Sequence, residues 1–339
     1  MTRPRLRDVA KEAGVSIGAA SDALAGKNQI SEETRQRVRE AAERLGYVPN
    51  ALARAMNAGH LNALGLVVGA LRRPGEYAAY RAFWSDVIGA GTLAATDRGY
   101  GLMILPGLES EPLAHLPMAG MILIDTLAND PFVDQAFALG IPVMTDASTR
   151  AKKAAIHVDI DFASTVATVM DHFVAHGSRK PALLLPDVQR GYVDDLERAY
   201  RRWCTEHALD PVVADSTMES DFASGPIEWL LDQGVDAVYV TMPVTGALLE
   251  AAQRRGLDVG RDLLIASLDE DTDRSLAQAD ITTVNYAVTS FIEEIVASFI
   301  DVIEGRAEPG SYSSARFELL ARGSTLGTRH RRRSTDVTA

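Results

Sequence analysis

Residues 6–56 read LRDVAKEAGVSIGAASDALAGKNQISEETRQRVREAAERLGYVPNALARAM, and their apolar spacing decides the fold of the amino-terminal part of the chain. Leu6, Val9, Ala10 and Ala13 recur at i, i+3, i+4 and i+7, which puts one apolar face on a short helix. Gly14 follows, where a left-handed helix end needs a residue without Cβ. Val15 can then drop into the core. Ser16 can cap a second helix over about 17–25, whose Ala20 and Leu24 face inward. Gly26 ends that helix. Ser31 caps a third, SEETRQRVREAAERLG, with Glu32 and Glu33 in the first turn, where the helix dipole favours acids. Val38, Ala41, Ala42 and Leu45 form its buried stripe, and Gly46 stops it. Three short helices with a glycine turn between the first two form a helix-turn-helix pattern. A merely structural helical cap is the weaker account, because cap, turn and stop residues all agree.

Charge supports a nucleic-acid role for this end. Residues 1–60 carry ten Lys and Arg against seven Asp and Glu, although the whole chain of 339 residues has a net charge of −12. A basic head on an acidic body is the asymmetry expected when one end alone meets phosphate. The length exceeds the roughly 250–300 residues at which single cores stop growing, so two or three domains are expected. Hydrophobic residues at 47 % and charged residues at 24 % describe an ordinary soluble globular protein. No run of 18 apolar residues occurs and the start, MTRPRLRDVAKEAG, has no apolar signal core. A cytoplasmic location is expected, with neither membrane insertion nor secretion. The single cysteine, Cys204, can form no internal disulfide and belongs to no metal-type spacing.

The stretch LRDVAKEAGVS…ISEETRQRVREAAERLGYVPNALARAM resembles the lactose-repressor (LacI/GalR) family of bacterial transcription regulators over residues 6–56, almost without gaps. The resemblance implies that Ser16, Ile17, Gly18, Ser21 and Asp22 lie on the groove-facing side of the recognition helix, with Arg5, Arg7, Asn50 and Ala53 among the DNA contacts. It further implies that the segment after Tyr47-Val48-Pro49-Asn50 becomes a hinge helix on DNA. Met56 stands at the position that wedges into the minor groove, where Leu is commoner, and an unbranched apolar side chain can enter an opened base step. Asp22 departs from the family, which usually has Arg there to grip guanine O6 and N7. Asp can accept from cytosine N4 or repel phosphate, so either the operator is unusual or Asp22 pairs internally with a nearby Arg. Gly18 weakens its own helix by about 1 kcal/mol relative to Ala.

From Leu64 the pattern changes to short apolar runs alternating with helical stretches. Strands are expected at Leu64–Val68, Gly101–Leu105, Gly120–Ile124, Pro142–Met144, Ala182–Leu185, Val212–Ala214, Ala237–Val240, Leu263–Ala266 and Thr282–Val284. Helices are expected at Tyr80–Asp97, Ala163–His176, Val193–His207, Ile227–Asp232, Gly246–Arg255 and Val288–Ile303. That alternation predicts parallel α/β sheets in two lobes. The fold class is therefore a small all-α helix-turn-helix head joined to a two-lobed α/β domain. The body is similar to the family's periplasmic-binding-protein-like effector domain, with GYGL (99–102), LDE (268–270), ITTV (281–284) and RGST (322–325) in the expected order. The resemblance implies lobe crossings near Asp161, Tyr286 and Ala321. The expected division is a head over 1–48, a hinge over 49–61, lobe 1 over 62–160 and 287–321, lobe 2 over 161–286, and a strand remnant with a basic, disordered tail over 322–339.

Ligands of such sheets bind beyond the carboxyl ends of the strands, in the cleft between lobes. By position the candidates are Phe83 and Trp84, Asp125, Asp161 and Phe162, Arg190 and Tyr192, Thr241, and Asp269; core packing is an equally good account of each aromatic. The resemblance singles out Asp269, whose family counterpart accepts ligand donors, usually hydroxyls. Two departures alter the ligand expectation. Leu196 replaces the Arg that commonly grips sugars or anions, with Ala199-Tyr200 for the Gly-aromatic pair after it, and Val240 and Thr241 replace an Asn-Asp pair. Losing a cationic fork and a polar pair predicts a less hydroxylated or partly apolar effector, or a degenerate pocket.

Other motifs carry less. Gly14-Val15-Ser16-Ile17-Gly18 matches the G-x-S-x-G nucleophile elbow but follows a helix instead of a strand. Gly89-Ala90-Gly91-Thr92-Leu93-Ala94 matches a relaxed dinucleotide fingerprint but lies inside a helical stretch, where close helix packing explains it better. Asp269, Asp271 and Asp273 begin like a calcium loop, yet Arg274 and Asp280 occupy the positions of its Gly and Glu. His172 and His176 share a helix face without a Glu base between them. No metal and no cofactor is expected. The expected function is a homodimeric, sequence-specific DNA-binding regulator, a repressor acting on a pseudo-palindromic duplex operator and controlled by a small effector, a sugar by the family's habit. A transporter's solute-binding protein would have no use for the head. An α/β enzyme would need a nucleophile–base pair or metal set that the spacing does not supply.

Overall fold

The computed structural model describes residues 4–24, 30–45, 47, 62–68, 80–105, 113, 116–125, 130–146, 154–188, 191–216, 220–268, 277 and 279–327. The chain forms two compact units, 1–62 and 63–339.

In the first unit, α1 (Leu6–Ala13), α2 (Ile17–Leu24) and α3 (Glu32–Leu45) pack around Val9, Ala10, Ala13, Ala20, Ala23, Val38, Ala41 and Ala42. The alanines let three short helices approach closely, and Leu6, Val15, Leu24, Ile30 and Tyr47 close the edges of this core. Gly14 takes the left-handed conformation, φ 67 and ψ 36, which redirects the chain from α1 into α2. The Ser16 hydroxyl accepts the Ala19 N–H at 3.1 Å, and Ser31 accepts that of Thr34 at 3.3 Å. Leu45 falls outside the expected stripe, at 36 % exposed, because α3 outruns the two shorter helices. Ala23 lies inside instead.

In chain order the second unit runs β1 (Ala63–Val68), α4 (Arg81–Asp97), β2 (Gly101–Leu105), β3 (Gly120–Ile124), α5 (Pro131–Ala138), β4 (Val143–Thr145), β5 (Ile156–Ile160) and α6 (Phe162–Ala175). It continues with β6 (Pro181–Pro186), α7 (Gly191–Glu206), β7 (Val213–Ser216), α8 (Ser220–Asp232), β8 (Ala237–Val240), α9 (Thr245–Arg254), β9 (Leu264–Leu268) and β10 (Thr282–Asn285). α10 (Val288–Ile303), β11 (Ser311–Ala315), β12 (Glu318–Leu320) and α11 (Gly323–Leu326) complete it. One sheet has the order β2-β1-β3-β4-β5-β11 and is parallel throughout. The other has the order β7-β6-β8-β9-β10-β12, parallel except for the antiparallel β10–β12 pair.

Both sheets are covered on both faces, which is why their strands read as continuous apolar runs. Leu64, Leu66, Val68 and Ile122 pack with Trp84 of α4 and Phe299 of α10, whereas Val67, Met121 and Leu123 pack with Phe132 of α5. In the second lobe Leu184, Val238 and Ile265 face Leu230 and Leu248, and Leu183, Leu185 and Tyr239 face Phe173 and Leu196. Gly120 is glycine by necessity, since a Cβ there would lie 2.7 Å from the Phe299 ring.

The chain passes between the lobes at Asp161 and at Tyr286–Ala287. The third passage lies at 316–317, earlier than the expected Ala321, because Glu318–Leu320 already pairs with β10 in the second sheet. Residues 323–326 form α11 where a strand remnant was expected. The Ser324 hydroxyl donates to the Ile265 carbonyl at 2.6 Å and accepts the Thr282 N–H at 2.8 Å. The expected basic tail and the hinge lie outside the described residues. No helix among the described residues is long and apolar enough to cross a membrane.

Candidate functional site

The head presents α2 by its amino-terminal end. Ser16, Ile17 and Gly18 are exposed, Ser21 and Asp22 half-buried. Ile17 is 56 % exposed, an apolar group on the surface that no core contact explains. Such a group can meet a thymine methyl, Ser16 and Ser21 can donate or accept, and Asp22 can accept from cytosine N4. Arg5 and Arg7 are exposed at the start of α1, where their charges can meet phosphate. Asn50, Ala53 and Met56 lie outside the described residues.

In the second unit a cavity of about 160 Å³ opens where the carboxyl ends of strands from both sheets converge. Ile124 of β3, Ile160 of β5, Leu268 of β9 and Val284 of β10 line it, with Met242 and Pro243 after β8. Aromatic rings form much of the wall. Tyr80 and Phe83 come from the start of α4, and Phe162 lies 6.2 Å from the Tyr192 ring and 6.4 Å from that of Tyr286. Asp125, Asp146, Thr241 and Asn285 supply the polar part. A side cavity of about 20 Å³ continues from Asp146, Phe162 and Tyr192 to His157 and Asp195.

Several of these polar groups are already engaged. The Thr241 hydroxyl donates to the Leu184 carbonyl at 3.1 Å, and the Tyr286 hydroxyl lies 2.7 Å from that of Thr165. Burial pushes the Tyr286 phenol above its ordinary range. The Asn285 side-chain oxygen accepts the Ala287 N–H at 2.6 Å, which steadies the left-handed Ala287 at the lobe crossing.

Of the cleft residues expected from sequence, Phe83, Asp125, Phe162, Tyr192 and Thr241 line the cavity. Trp84 does not: it is fully buried in the first lobe's core, its ring edge-on to Phe83 at 5.3 Å. Asp161 does not line it either. Its carboxylate caps α6, accepting the Ser164 N–H at 2.9 Å and hydroxyl at 2.5 Å, and these bonds hold its carboxyl below the ordinary range. Arg190 and Asp269 lie outside the described residues. Leu196 is fully buried in the second lobe's core. Tyr200, on the same helix, donates its hydroxyl to the Pro181 carbonyl at 2.7 Å and accepts the Val212 N–H at 3.1 Å. Tyr80, Asp146 and Tyr286 were missed, although Asp146 and Tyr286 each follow a strand directly, where the carboxyl-end rule already points.

The motifs set aside resolve structurally. Gly14–Gly18 joins two helices, and Gly91 lies within α4, where a Cβ would meet Leu102 at 3.4 Å and Ile292 at 3.7 Å. The His172 ring lies 4.2 Å from that of His176, tilted by 44°, and its Nε2 lies 2.8 Å from the Thr325 hydroxyl. Burial first, and His176 second, lower its pKa to about 4.

Residues 5–50 match the model of bacterial regulatory proteins of the lacI family, and residues 170–325 match that of the periplasmic binding protein-like domain. The HTH-type transcriptional regulator CelR of Thermobifida fusca is 26 % identical, covering 89 % of this chain and 93 % of its own. Catabolite control protein A of Priestia megaterium is 25 % identical over 82 % of this chain and 86 % of its own. Among solved structures, a CelR–cellobiose complex superimposes with a TM-score of 0.69 at 22 % identity, covering 95 % of this chain and all of that one. The lac repressor dimer bound to operator and an anti-inducer gives 0.70 at 19 % identity, with 96 % of this chain and all of that one covered. Glycine turn, exposed start of α2 and two α/β sheets thus occur together with both matches, and the chain joins a DNA-binding domain of the lacI type of bacterial regulatory proteins to a periplasmic binding protein-like domain.

Proposed function

We propose that the chain is a cytoplasmic transcriptional repressor, not an enzyme, that binds a pseudo-palindromic operator as a homodimer and answers to a small molecule in the interlobe cavity. The observation that carries this is α2, capped by Ser16 after the left-handed Gly14 and exposing Ile17 at its start. A helix so placed can enter the major groove by its first turn. The relatives support the rest: CelR is an HTH-type transcriptional regulator with a solved cellobiose complex, and the lac repressor's dimer is bound to operator. On this account residues 1–48 read the operator, 49–61 form the hinge, and cleft closure changes whether two hinges fold together and seat Met56. The two expected DNA-facing groups differ in kind, since Arg5 and Arg7 supply charge and Ile17, Ser21 and Asp22 supply sequence.

Fluorescence anisotropy with a random-sequence duplex tests the DNA role. Binding is expected to weaken steeply with salt, because bound cations release counterions, and Arg5→Glu with Arg7→Glu should flatten that slope. Binding that is absent at low salt contradicts the proposal. Met56→Asp is expected to abolish specific operator binding while the second unit stays folded. Retained affinity would remove the hinge from the mechanism.

A further inference from the structure

We propose that the effector carries an aromatic ring system of one or two fused rings, and that the cavity holds it by this part. The inference rests on the cavity being the effector site and names the class of its occupant. Both lobes build the wall from apolar and aromatic groups, with Tyr80, Phe83 and Ile124 from the first and Phe162, Leu268 and Val284 from the second. Phe83, Phe162 and Leu268 are half-buried, so each keeps surface facing the cavity. Covering that surface with an apolar partner is favourable in proportion to the area removed from water. The size fits such a partner. At about 160 Å³ the space is close to that of an apolar cavity of roughly 150 Å³ that takes up benzene.

Ring geometry favours an aromatic over a saturated body. The Phe162 ring is tilted by 36° to that of Tyr192 and by 72° to that of Tyr286. A further ring among them can meet one by an offset face and another by its edge, the two arrangements that aromatic pairs prefer. The polar groups of the described wall are meanwhile in bonds of their own. The Thr241 hydroxyl donates to the Leu184 carbonyl, the Tyr286 hydroxyl is bonded to Thr165, the Asn285 oxygen accepts the Ala287 N–H, and the Asp146 carboxylate accepts the Asp125 N–H. A polyhydroxyl ligand would have to share or displace these bonds, and a ring does not. A ring that touches both lobes also favours their closure, the change on which the proposed regulation depends.

Calorimetric titration of the full chain tests this with indole and 2-phenylethanol as aromatic probes, 2-cyclohexylethanol as the saturated counterpart, and glucose and cellobiose as sugar probes. At least one aromatic should bind about tenfold or more tighter than either sugar, with a negative heat-capacity change. 2-Phenylethanol should bind tighter than 2-cyclohexylethanol, because the preference comes from ring geometry and not from area alone. Phe162→Ala, which removes a ring, and Val288→Phe, which fills the space, should each weaken the aromatic probe about tenfold. Both positions are half-buried, and the comparison of probes on the native chain stands even where a variant fails to fold. No binding of either aromatic at millimolar concentration, equal or tighter binding of a sugar or of the saturated alcohol, or unaltered affinity in the folded variants would overturn the assignment. A sugar that binds and shifts DNA affinity would end the aromatic effector and keep the regulator. Aromatic binding with no DNA binding would do the reverse.

Discussion

The Asp125 backbone N–H donates to the Asp146 carboxylate across 2.6 Å, tying the carboxyl ends of β3 and β4 together at the cavity wall. Asp125 sits there at φ 60, a conformation that side chains other than Asn and Asp adopt at a cost. Asp146→Ala removes the acceptor and is expected to lower stability by about 1–3 kcal/mol in urea denaturation. Asp146→Asn retains an acceptor and should lose less than half of that. Equal losses would show that the bond does not hold the rim.

Gly14 stands at φ 67 between α1 and α2. Gly14→Ala places a Cβ in the left-handed region at about 1–2 kcal/mol. The effect should appear as faster amide exchange in α1 and α2, with ligand binding in the second unit unchanged. Unaltered exchange in the head would contradict the turn's role.

Ile17 separates stability from reading. At 56 % exposed it adds little to the core, so Ile17→Ala should change stability by no more than about 0.5 kcal/mol. Operator affinity should drop about tenfold, while binding to random duplex stays the same. A parallel loss on both duplexes would place Ile17 outside base recognition.

His172 gives the second lobe a pH dependence. Its pKa is lowered to about 4, chiefly by burial and then by His176, against an ordinary value of 6.5. The unfolded chain therefore binds the proton more readily, so stability is full above about pH 6.5 and falls as pH drops toward 4. Partial exposure to solvent limits the loss to about 1–2 kcal/mol. Thermal melts between pH 4 and 7 should steepen in the native chain and flatten in His172→Gln; identical slopes would refute the assignment.

Local signals in the head were legible because they are complete within fifty residues: Gly14, Ser16 and Ser31 each act where their chemistry places them. In the body the apolar strands were readable and the polar ones were not. β11 is Ser-Tyr-Ser-Ser-Ala, an edge strand with little apolar signal, and β5 interleaves His157 and Asp159 with its apolar residues. β12 is three residues long. α5 carried a signal that went unread, Asp130 before Pro131, and Asp130 indeed accepts the Phe132 N–H. The cavity divides the same way. Asp125 and Thr241, each directly beyond a strand, were legible by position, whereas Tyr80 depends on how α4 begins against the sheet, which is tertiary. Asp161 and Trp84 show the limit of position alone: one is taken by its helix cap and the other by the core.

Selection of bound duplexes from a random library by the full-length protein, at one fixed and moderate salt concentration, tests the central claim most directly. The predicted result is enrichment of a pseudo-palindrome whose half-sites show what Ile17, Ser21 and Asp22 read, and whose affinity then changes when the cavity is filled. Recovery of unenriched sequence would contradict it.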